Sequence, residues 1–71
     1  MDDIQEKLPI LLKHWIEHNR EHEVKLREWA EKAEGLRGKE VSQAMHEAVA
    51  LMKEANQALA KASQALEGDR L

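Results

Sequence analysis

From Leu8 onward the first half of the chain carries Leu8, Leu12, Trp15, Asn19, His22, Leu26, Trp29 and Ala33 at alternating steps of four and three. That is the heptad seam of an amphipathic helix, with Asn19 and His22 as its two polar members. After the segment GLRG, Gly35 to Gly38, the same steps pick out Val41, Met45, Ala48, Met52, Ala55, Leu59, Ala62 and Leu66. One row of this second seam is large throughout, and the other is alanine apart from Val41. Pro9 suits the first turn of a helix, where its missing N–H costs nothing, and Gly35 suits the residue just past a helix end. The pattern predicts a first helix over about residues 9–34, roughly 39 Å long. Before it, a frayed or kinked turn is expected to begin at Asp2 or Asp3. A turn over 35–38 and a second helix over 39–67, stopped by Gly68, complete the expectation, with the tail GDRL disordered. A connector this short makes its helices antiparallel. The expected fold class is therefore all-α, a two-helix hairpin forming one domain over residues 1–71.

The two seams complement each other in size, since a tryptophan on one helix needs a small partner opposite. Folding about Leu36 and Arg37 brings Trp15 toward Ala55, Ala58 and Ala62, and Trp29 toward Ala44 and Ala48, so the indoles are expected to cover the alanines. Yet each apolar face is wider than one partner helix can hide. Ala44, Leu51, Ala58 and Ala65 flank the second seam on one side and Val49 on the other, while Leu11 and Ile16 widen the first. Contiguous exposed apolar surface marks an interface. The least demanding solution is a homodimer, two hairpins paired about a two-fold axis into a four-helix bundle.

Size strengthens that expectation. A chain of 71 residues and 8.2 kDa buries only about 60% of the surface its unfolded form exposes, so it needs a staple beyond its own core. Cysteine is absent, which excludes disulfides and thiolate zinc sites. Self-association and a metal held by histidine and carboxylate remain. The net charge of −3 and pI near 5.8, with lysines and arginines interleaved among acids, disfavour nucleic acid and anionic membrane as partners. The longest apolar run, Ile10 to Leu12, is far short of a membrane span. A cytoplasmic protein is expected. The interleaved charges also offer helical ion pairs, Glu21 with Lys25, Glu23 with Arg27 and Glu28 with Lys32, each worth a few tenths of a kcal/mol.

The stretch HWIEHNREHE, residues 14–23, carries the candidate chemistry. At about 100° per residue His14, His18 and His22 drift around the helix, which puts His22 in the seam, His18 at its edge and His14 outside. One reading is a polar core layer, in which His22 and Asn19 hydrogen-bond across the bundle at the level of Ala55 and Asn56 and fix its register. The other is metal. Histidines at i and i+4 present their imidazoles to one divalent ion, and two such pairs overlap here, with Glu17 and Glu21 close by as remote candidate ligands. Nitrogen and oxygen donors without sulfur suit nickel, zinc, cobalt or copper. His46, well away from the second seam, is expected at the surface and is also only a remote candidate. Trp15 and Trp29, two heptads apart, read as core anchors, and Met45 and Met52 as core fillers.

The segment LLKHWIEHNREHEVKLREWAEKAE, followed by a glycine turn and an alanine-rich helix, resembles a small bacterial and archaeal family of uncharacterised helical hairpins. The shared pattern is H-W-x-E-H-N-x-x-H…W-A-x-K-A, carried by His14, Trp15, Glu17, His18, Asn19, His22, Trp29, Ala30, Lys32 and Ala33. The resemblance implies an association with small accessory proteins that handle nickel for carbon-monoxide dehydrogenase, and hence a metal-handling partner. Enzymatic activity is not expected, because the chain offers no cysteine nucleophile and a hairpin has no cleft for a substrate. The expected function is a non-catalytic, self-associating interaction module. The alternative is a nickel- or zinc-binding accessory protein using the histidines of the first helix.

Overall fold

The computed structural model describes residues 3–69. Two α-helices, α1 (Asp3–Ala33) and α2 (Glu40–Asp69), lie antiparallel, and no strand occurs among the described residues. The hairpin is a rod of 55 × 15 × 14 Å.

α1 starts at Asp3, with Pro9 inside it, instead of at Pro9. Asp3 and Glu6 lie in its first turn, where carboxylates face the positive end of the helix dipole. Half-buried Leu8 and Pro9 and buried Leu12 then tie this end to the rod. Packing therefore carries the helix past a proline that deletes one backbone hydrogen bond. At the far end α2 continues through Gly68 to Asp69. Gly68 does not stop it, since it does not take the left-handed conformation of a helix-ending glycine. The expected start at Asp2 and the last residues of the expected disordered tail lie outside the described residues.

At the turn, each of the last four carbonyls of α1, which a helix leaves without an intrahelical partner, has a donor. Glu34 N–H donates to Glu31 (3.2 Å), Gly35 N–H to Lys32 (3.2 Å) and Leu36 N–H to Ala33 (3.0 Å). The Ser42 hydroxyl donates to the Ala30 carbonyl at 3.1 Å. The chain then reverses through Gly38, whose φ of 83° is the left-handed conformation that glycine adopts at no steric penalty.

The contact between the helices is not the predicted seam. α1 turns Pro9, Leu12, Ile16, Asn19, Glu23, Leu26, Ala30 and Ala33 inward, and α2 turns Ser42, Met45, Val49, Met52, Asn56, Leu59, Ser63 and Leu66 inward. Leu12 (4% exposed), Val49 (6%) and Ala30 (0%) are the most buried apolar residues. In each helix one predicted row stays in contact: Leu12, Asn19, Leu26 and Ala33 on α1, and Met45, Met52, Leu59 and Leu66 on α2. The other row is replaced by the one beyond it, a rotation of about 50° around each helix. Trp15 (42% exposed), Trp29 (59%), His22, Val41, Leu51, Ala55 and Ala62 are thereby exposed, and Ala48 is only half-buried. Within one hairpin the indoles do not cover the alanines. The seam is set by what can approach closely, because alanine at positions 30 and 33 and serine at 42 let the backbones meet beside the turn.

Candidate functional site

The rotation is in the same sense on both helices, so the hairpin has two unlike sides. One is charged. Glu23, with only 13% of its side chain exposed, accepts from Arg27 Nη2 at 3.1 Å and faces Lys53 Nζ at 3.8 Å across the helices. His46 Nε2 lies 3.0 Å from Glu34 Oε2 on this side, so His46 is partnered with a carboxylate and does not join the other histidines. The other side is apolar. Two adjoining grooves run along it, one lined by His22, Lys25, Leu26, Trp29, Met45 and Met52 and the next by Trp29, Lys32, Ala33, Leu36, Val41 and Met45. The Lys32 ammonium sits 4.3 Å above the Trp29 ring, a cation–π contact in place of the expected pairing with Glu28. A further apolar hollow at the start of α1, formed with Ile4, Leu8 and Leu11, extends the exposed greasy surface.

Midway along the rod a polar layer joins the helices. Asn19 Nδ2 donates to Asn56 Oδ1 (3.0 Å), and Asn56 Nδ2 donates to the Ile16 carbonyl (3.2 Å). Asn19 thus has the partner level read from the sequence, but His22 does not belong to the layer.

Instead His22 turns toward His18. Their Nε2 atoms are 3.0 Å apart and their ring centroids 4.4 Å. His14 lies outside this pair, its ring stacked on that of His18 at 5.9 Å with an interplanar angle of 17°. Glu17 lines a groove on the opposite edge of α1 with Pro9, Ile10, Lys13, Ile16 and Arg20, and Glu21 is exposed. Among the described residues no group of three or more His, Cys, Asp or Glu side chains is disposed to hold a metal ion. The hairpin assembles two imidazoles, and the acids suggested by the sequence do not join them.

These features define a class: an all-α hairpin with one charged side, one apolar side and a histidine pair near the middle. The chain belongs to the family described as a domain of unknown function, DUF8180, whose model matches residues 8–66. It is similar to an uncharacterised protein of Archaeoglobus fulgidus, 40% identical over 57 residues, which cover 80% of this chain and 90% of that one. No solved structure matches. No helix among the described residues is long and apolar enough to cross a membrane.

Proposed function

We propose that the protein is a non-catalytic self-association module whose apolar sides pair two hairpins into a four-helix bundle. The observation that carries this reading is the direction of the heptad stripe. In an isolated pair of helices both rows of each heptad seam point at the partner. Here Leu8, Trp15, His22 and Trp29 on α1, and Val41, Ala48, Ala55 and Ala62 on α2, point to one common side of the line joining the helices. A helix needs that offset when it has two neighbours and its core lies between them. The rows that look like one hairpin's seam are then the core of a bundle of two.

Area argues the same way. The hairpin exposes 5956 Å², whereas a compact protein of its mass exposes roughly 4,500 Å². Its radius of gyration of 16.3 Å exceeds the roughly 11 Å of a compact chain of this length. A dimer as compact as a protein of twice the mass exposes roughly 7,500 Å², so pairing can hide up to about 4,400 Å² in total, within the range of obligate homodimers. Sedimentation of the metal-free protein across a dilution series tests the reading. A dimer mass is expected, and a monomer at every concentration would refute it.

A further inference from the structure

We propose that His18 and His22 form half of a divalent-cation site, completed by the same two residues of a second copy of this chain. The proposal rests on the two-fold pairing above. Nitrogens 3.0 Å apart, each at about 2.1 Å from one ion, subtend an angle of about 90° there. Two cis ligands of a square-planar or octahedral centre have that geometry, and a shift of a few tenths of an ångström in exposed rings reaches the tetrahedral angle. In the metal-free chain the pair is held by one Nε2–H···Nε2 hydrogen bond. An ion replaces that proton, which moves to Nδ1 of the same neutral ring, so both Nε2 lone pairs point at the metal and no net charge is lost from the histidines.

One hairpin cannot finish the site. His14 is stacked away from the pair, Glu17 lies across the helix, and His46 is paired with Glu34. A second copy can. His18 is the middle residue of α1 (Asp3–Ala33), and when α1 lies against α1 of the second copy about a two-fold axis, with the rods fully overlapped, the two midpoints meet whether the helices run parallel or antiparallel. His22 also opens onto the apolar groove beside Leu26, Trp29, Met45 and Met52, the side offered to the partner. Four imidazoles without sulfur or carboxylate suit nickel, copper, cobalt or zinc, and not magnesium or calcium.

The test is equilibrium dialysis of the full metal-free chain against nickel alone and zinc alone, with sedimentation of the same samples. One ion per two chains is expected, with at least about tenfold tighter dimerisation when the ion is present. His18→Ala and His22→Ala should each weaken uptake about 100-fold or more, and His14→Ala should leave the stoichiometry unchanged. Uptake of one ion per chain, no uptake at micromolar metal, or undiminished uptake by the double variant would overturn the site. A metal-free dimer that takes up no ion overturns it while self-association stands. A monomer that pairs only on ion uptake upholds the site and removes the metal-free reading. A chain monomeric with and without ion overturns both.

Discussion

Replacing Trp29 with alanine separates an indole that packs within the hairpin from one that awaits a partner. Trp29 is 59% exposed, which for a side chain of this size leaves roughly 120 Å² of largely apolar surface in water. If a second hairpin covers that area, its loss at about 25 cal/mol per Å² removes about 3 kcal/mol per copy and about 6 kcal/mol per dimer. At about 1.4 kcal/mol per tenfold, full coverage corresponds to some four decades in Kd. Lys32 already shields one face of the ring, and coverage at a helical interface is incomplete, so the expected rise is at least about 100-fold. The hairpin itself should barely notice, since Trp29 stands at the rim of the two exposed grooves and outside the row that packs on α2. Val24→Ala is the matched control. Val24 is 52% exposed but lies roughly opposite the seam by helical arithmetic, so Kd should change less than about threefold. Sedimentation velocity over a dilution series reads both variants, with Trp15 fluorescence as an independent signal. Equal Kd values for Trp29→Ala and the parent chain, or equal losses in the two variants, would refute the apolar side as the interface.

The other expectations concern the hairpin itself. Ser42→Ala leaves the buried Ala30 carbonyl without its 3.1 Å donor and should destabilise by about 1–2 kcal/mol in urea titration; no change would mean that water serves that carbonyl. Gly38→Ala, at φ 83°, should destabilise by about 1–2 kcal/mol, whereas Gly35→Ala, whose added methyl meets only the Lys32 carbonyl at 3.5 Å, should be neutral or slightly stabilising. Replacing Asn19 and Asn56 together by leucine removes the polar layer without orphaning either amide; the double variant should unfold at higher urea but populate more than one oligomer by native mass spectrometry. A single species would dismiss the layer as a register device.

The helices and their antiparallel order were legible because period 3.5, a short glycine-bearing connector and the absence of strand-forming runs all agree. The orientation of each helix about its axis was not. Two heptad stripes share Leu12, Asn19, Leu26 and Ala33, and hydrophobicity alone favours the one containing Trp15 and Trp29 over the one containing Ile16, Glu23 and Ala30. Close approach decides otherwise. Small residues at the turn bring the backbones together, Glu23 finds both Arg27 and Lys53, and Asn56 reaches the Ile16 carbonyl. The cross-helix gains come from partners 30 and 40 positions away, Lys53 for Glu23 and Asn56 for Ile16, which no residue type announces. The start of α1 departs from the sequence pattern for a related reason. Proline in a first turn is a strong local signal, but Asp3, Glu6 and the packing of Leu8 extend the helix beyond it.

The same ambiguity explains why the histidines were legible as a cluster but not as a site. Spacing of four places consecutive imidazoles within reach in any helix, so sequence offers two equivalent pairs, His14 with His18 and His18 with His22. Only the second lies beside the apolar groove, and there the nitrogens meet at 3.0 Å. The choice between them follows from the 50° rotation of α1, because turning Ile16 and Glu23 toward α2 necessarily turns His22 out to the flank that also bears Trp15 and Trp29. One geometric fact thus governs both proposals. If the helices were instead rotated so that the tryptophans packed on the alanines within a single hairpin, Trp15, Trp29 and Val41 would be lost from the apolar side and His22 would be buried against α2, leaving only flanking residues such as Leu11 and Leu51 for a second copy and no imidazole pair to meet one.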